Sequence, residues 1–150
     1  MIRARRILPI VALTLAAVGC SSSPPGVRVA NARIPQPPSG DVAVVYMTIH
    51  NTSGDADTLE SASSSASGSA SVHRTVRKGL VEEMLPDGPV TIAGGADFNL
   101  RTGGSHLMLE HLRGRLHVGD TVTVTLHFDR AGTVKVRAPV VSPTAATTTG

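Results

Sequence analysis

The chain has 150 residues, enough for one domain, with 41% hydrophobic residues, 17% charged residues and three aromatics, Tyr46, Phe98 and Phe128. Its formal charge of +3 comes from Arg3, Arg5 and Arg6, since beyond residue 19 there are 11 Lys and Arg against 11 Asp and Glu. No basic stripe with interleaved aromatics remains, so nucleic acid is excluded as a partner. Cys20 is the single cysteine, which rules out an intrachain disulfide and a two-thiolate metal or redox site.

Residues 1–19 read as a secretory signal: a basic MIRARR, a short apolar run ILPIVALTLAAV, and small residues before Cys20. The apolar run is too short for a membrane-spanning helix. Ala17, Val18, Gly19 and Cys20 fit a bacterial lipobox, apart from Ala17 where Leu is usual. Cleavage before Cys20 and lipid on its sulfur are therefore expected, anchoring an extracytoplasmic protein to the cell membrane. Residues 20–26, rich in Ser and Pro, read as a flexible tether, residues 27–140 as the folded domain, and residues 141–150 as a disordered tail.

Within the domain, apolar residues alternate with polar ones and no 3.6-residue period stands out. Strands are predicted at 27–34 and 41–51. The second places Val42, Val44, Tyr46, Thr48 and His50 on one face and Ala43, Val45, Met47 and Ile49 on the other. Further strands are expected near 57–63, 70–76, 79–84, 90–92, 97–100 and 106–110. The serine-rich run from 61 to 71 is loop-like in composition and is read as two edge strands joined near Gly68. The chain closes with a hairpin, 121–128 and 133–140, around DRAG. Eight to ten short strands with almost no helix describe an all-β, single-domain β-sandwich with an aliphatic core.

Four residues fall into the spacing H-x10-M-x21-H-x-M: His73, Met84, His106 and Met108. Residues i and i+2 of a strand share a face, so His106 and Met108 project together. Gly103 and Gly104 before them permit a turn that would leave this edge exposed. Thioether sulfur is a soft donor, and two thioethers with two imidazoles favour Cu(I) over Zn(II), Mg(II) or Ca(II). Neutral ligands leave the ion's charge uncompensated, which places the expected site near solvent. Singly, a strand Met or His is more often structural, and Met47, between Val45 and Ile49, reads as core. The joint spacing is far rarer by chance than any lone short motif. His50, His117 and His127 read as satisfied or solvent-facing, and His111 as a candidate neighbour of the site. Glu82, Glu83 and Glu110 are solvated charges unless one orients an imidazole.

On this motif, and on AVVYMTIHNTSGDADTL, GGSHLMLEHL and LHVGDTVTVTLHF, residues 27–140 resemble the PCu(A)C copper chaperones. The resemblance implies a cupredoxin-like (immunoglobulin-like) β-sandwich and Cu(I) carried by His73, Met84, His106 and Met108. It also implies delivery to the Cu(A) centre in subunit II of cytochrome c oxidase, often alongside a Sco-type thioredoxin-like protein. Two departures stand out. Arg74 follows the first His where many members have Met, and the tail SPTAATTTG lacks the His and Met that some members carry. Nothing in the chain selects for an enzyme: there is no G-x-S-x-G elbow, phosphate-cradling loop or zinc-protease helix, and no cysteine for a blue-copper site. Copper storage and a metal-free interaction module are the alternative readings.

Overall fold

The computed structural model describes residues 26–144. The expected signal at 1–19, Cys20 with most of the tether, and the tail from residue 145 lie outside the described residues. Among those described there are ten strands and no helix. They are β1 (Val27–Pro35), β2 (Val42–Asn51), β3 (Asp57–Ser64), β4 (Ser69–Lys78) and β5 (Val81–Pro86), followed by β6 (Val90–Ile92), β7 (Asp97–Leu100), β8 (Ser105–Glu110), β9 (Thr121–Phe128) and β10 (Gly132–Val141).

The strands pair in the order β5-β4-β8-β2-β1-β10-β9-β3-β6, with β7 beside the C-terminal half of β2. The ladders are antiparallel except at β1–β10, where Ile34 and Pro35 run parallel to Val140 and Val141. At that seam the path folds over, and its two halves bury their inner faces against each other as a β-sandwich. The alternation predicted for β2 holds: Ala43, Val45, Met47 and Ile49 are buried and the intervening residues face outward. The same period in β9 buries Val122, Val124, Leu126 and Phe128. With so few aromatics the core is almost wholly Val, Leu, Ile and Ala. The closing hairpin around DRAG forms as expected, with Gly132 opposite Phe128.

The serine-rich run forms two strands, and within it both are edges, as expected: Ser61–Ser64 pair only with β9 and Ser69–Val72 only with β8. β6 and β5 add on further along, at Asp57–Leu59 and His73–Lys78. The two strands do not pair with each other, since β3 belongs to one half and β4 to the other. The turn at 65–68 is therefore a crossover between sheets. Ser67 and Gly68 are fastened there by backbone bonds to Ser64, Glu110 and His111. The physical reason is burial on one face only: Val72 and Ala70 turn inward while Ser69 and Ser71 turn out, so small polar residues suffice. β5 also starts two residues later than predicted, because Gly79 (φ +65°) and Leu80 form the β4–β5 turn. β10 continues to Val141, one residue beyond the predicted domain end.

Candidate metal centre

The four motif residues stand on the three strands β5, β4 and β8, at one end of the sheet path. In the β4–β8 ladder His73 is directly opposite His106, and Ser71 opposite Met108. In the β4–β5 ladder Met84 is opposite Thr75. Since 71, 73 and 75 alternate with the inward Val72, all four side chains rise from the outer face of the sandwich. His73 is the hub: its nearest cross-strand neighbour is His106, while Met108 and Met84 are its two diagonal neighbours, the latter on the opposite flank.

The two imidazoles stack, with ring centroids 6.1 Å apart and planes inclined by 28°. Their hydrogen bonds differ. His106 Nδ1 lies 3.0 Å from the Gly104 carbonyl, an acceptor, so Nδ1 carries the proton and Nε2 holds a free lone pair. That Nε2 is buried and finds no hydrogen-bond partner among the described residues. His73 Nε2 lies 2.9 Å from the Ser71 hydroxyl. The Gly104 carbonyl is delivered by a tight 101–104 turn, closed by Gly104 N–H donating to Arg101 and shaped by Gly103 at φ +71°.

Two expectations need correction. β8 is not an exposed edge, because β4 and β2 flank it. His106 is accordingly 5% exposed rather than solvent-facing, being shielded by its neighbours on both sides. Exposure instead rises across the site, through half-buried His73 and Met108 to Met84, which is 59% exposed. The structure thus brings His73, His106 and Met108 together, whereas Met84 stands apart on the outer strand of a hairpin. On a flat ladder the Met84 and Met108 Cα atoms are on the order of 15 Å apart.

The other polar candidates belong elsewhere. Glu82 and Glu83 pair with Arg77 and Lys78, and Glu110 accepts from Ser69, so none of them orients an imidazole. His50 pairs with Asp97, and His117 and His127 make surface contacts. His111 caps the far end of β8 in the left-handed region (φ 54°), five residues from His106 and packed on Gly68. Among the described residues no three His, Cys, Asp or Glu side chains cluster, so a metal held here would draw on the thioethers. Sequence reasoning missed Ser71 and the Gly104 carbonyl. The signal for Ser71 was its place two residues before His73 on the same face of the predicted 70–76 strand.

This β-sandwich fold is shared with solved PCuAC domains. The apo PCuAC domain from PmoF1 superposes with a TM-score of 0.66 at 27% identity, covering 79% of this chain and 95% of that domain. The Cu(I) form of DR1885 from Deinococcus radiodurans gives a TM-score of 0.59 at 29% identity, covering 83% of each chain. By sequence, the chain belongs to the LpqE-like lipoprotein family, which it matches over residues 27–140. It is 31% identical to Lxx21020 of Leifsonia xyli subsp. xyli (strain CTCB07), a protein named as a lipoprotein, over 92% of this chain and 90% of that one.

Proposed function

We propose that this protein is an extracytoplasmic copper chaperone, held at the membrane by lipid on Cys20, whose cargo is Cu(I). His73, His106, Met108 and Met84 are its ligands. The observation that carries this reading is the orphaned Nε2 of His106: a buried lone pair with no partner among the described residues, beside a second imidazole and two residues along β8 from a thioether. A buried polar atom without a partner is destabilising unless something else fills its valence, and a soft monovalent ion does so. The Cu(I)-loaded state of the similar DR1885 supports the choice of metal.

In this reading His106 is the fixed donor, preset by Gly104, and His73 joins by releasing the Ser71 hydroxyl. Met84 closes last, as the β4–β5 hairpin bends toward β8. The same mobile thioether is the first to leave, which gives a partner's ligands access by exchange. The acceptor is the Cu(A) centre of cytochrome c oxidase subunit II, with a Sco-type thioredoxin-like protein as co-worker. Role residues for catalysis are not assigned, since ligand exchange needs no acid, base or nucleophile. Titration of the protein with Cu(I) against a colorimetric chelator should give one tight equivalent, with about two sulfur and two nitrogen neighbours by X-ray absorption. Absence of competition with the chelator ends the reading. Transfer from the loaded protein to an apo Cu(A) domain separates a chaperone from a store.

A further inference from the structure

Of the four large apolar side chains that stand exposed among the described residues, three, Leu80, Val81 and Met84, lie on the single β4–β5 hairpin. Leu80 is fully exposed and Val81 is 66% exposed, and together they form its tip. Such a tip is costly to leave in water, and its position shows what it meets.

The strand register fixes that position. Val42 of β2 is level with Glu110 of β8, which is level with Ser69 of β4. Nine residues further along each strand, Asn51 is level with Lys78, and Asn51 is also the partner of Val27. The hairpin tip and the first residues of the domain therefore emerge at the same end of the sandwich, four strand spacings or about 19 Å apart across the sheet. Cys20 and Gly26 are six Cα–Cα steps apart, a reach of at most about 20 Å. The other turns at this end, 52–56, 93–96 and 129–131, are built of Thr, Ser, Gly, Ala, Asp and Arg. Among the described residues only the hairpin offers exposed large apolar side chains there. Val118, the fourth exposed apolar residue, lies at the opposite end, beside the start of β9.

The hairpin's charges are balanced within it: Arg74 pairs with Asp87, Arg77 with Glu82 and Lys78 with Glu83. It carries no surplus charge to seek an acidic or basic partner, and it can stand clear of the core because its own rungs hold it.

We propose that Leu80 and Val81 insert into the lipid interface, forming a second and reversible membrane contact that orients the domain on its anchor. This rests on the lipid-anchored reading of Cys20. Two apolar side chains alone bind a bilayer weakly, but tethering makes the contact intramolecular, so weak insertion is enough to set orientation. The copper-binding face then stands on a domain of fixed tilt, about 15–20 Å above the surface, since His73 is five to seven residues short of the tip.

The test uses the full chain, processed in a bacterial host and reconstituted in phosphatidylcholine vesicles with and without phosphatidylglycerol. The chain has no tryptophan, so Leu80→Trp supplies a single reporter and Val118→Trp a control at the far end. The protein is expected to float with the vesicles. Trp emission at position 80 should shift to the blue and be quenched by lipid brominated near the headgroup, equally with and without phosphatidylglycerol, while position 118 stays unaffected. Flotation without any change at position 80 overturns the proposal and leaves the anchor standing. Failure to float removes the anchor and the proposal together. A shift at position 80 that appears only when a membrane protein is added assigns the tip to that protein and overturns lipid insertion.

Discussion

Two buried polar clusters in this domain obey opposite rules. At the β2–β3 end, Asp57 is almost fully buried, yet its carboxylate accepts three backbone N–H bonds, from Thr58, Arg130 and Ala131, at 2.8–2.9 Å. Asn51 beside it donates to Asp55 and Ile92 and accepts from Ser53. Gly94 packs so closely there that a Cβ would lie 2.3 Å from the Gly54 carbonyl oxygen. At the β4–β8 rung, by contrast, His106 is as buried as Asp57 but leaves Nε2 without a partner. A completed network at one end and an incomplete one on the outer face separate what the fold needs from what the proposed copper site would use.

Breaking the completed cluster should cost the most stability. Asp57→Ala strands two part-buried donors from the β9–β10 turn and empties a buried site, and about 2–4 kcal/mol of unfolding free energy is expected to be lost. Chemical denaturation reads this directly, and the folded fraction should bind Cu(I) with unchanged affinity. Next in size is the opposite experiment. His106→Leu replaces an unsatisfied polar ring by an apolar side chain, and Cu(I) affinity should fall at least about 100-fold, or roughly 2.7 kcal/mol. The metal-free protein should be unchanged or more stable by about 1 kcal/mol, since the orphaned nitrogen is gone. If it were instead destabilised as strongly as Asp57→Ala, the histidine would be structural and the contrast would dissolve.

Acid sharpens the same contrast. Burial pushes the Asp57 carboxyl up, but the three backbone donors and the nearby Arg130 guanidinium pull it further down, leaving it below its ordinary value of 3.8. A carboxyl whose folded value is depressed contributes stability that is fully present well above 3.8 and is lost as pH falls through the folded value. The gap in melting temperature between the wild type and Asp57→Asn should thus be constant near neutral pH. It should narrow only in strong acid, below the ordinary carboxylate range.

Much of this was legible in the sequence, for reasons that differ by region. Thr121–Phe128 alternates Val and Leu with Thr and His, and such a segment has one way to bury its apolar face. Met47 was legible as core for the same reason, its neighbours Val45 and Ile49 sharing its face. The i, i+2 rule placed His106 and Met108 together. What it could not supply was the rung joining His73 to His106, because cross-strand register depends on the 65–68 crossover and on Val72 meeting Leu107 inside. Ser and Ala carry too little hydrophobic contrast to announce either. Asp57 and Asn51 fall at the ends of predicted strands and drew no role, since burial at a strand end leaves no periodic trace.

The smallest effect bears on the finest feature of the metal centre. Ser71 Oγ occupies His73 Nε2, so copper binding through that nitrogen must first break a hydrogen bond worth about 0.5–1.5 kcal/mol net. Ser71→Ala removes the competitor without touching the inward face of β4, and Cu(I) should bind about 2–10-fold more tightly, at unchanged metal coordination by X-ray absorption. A weaker site would carry a different meaning. It would show that the hydroxyl holds the ring in place while the metal uses Nδ1, in the way that outer partners orient metal-bound imidazoles elsewhere. The sign of a change smaller than any other considered thus decides which nitrogen of His73 faces the ion.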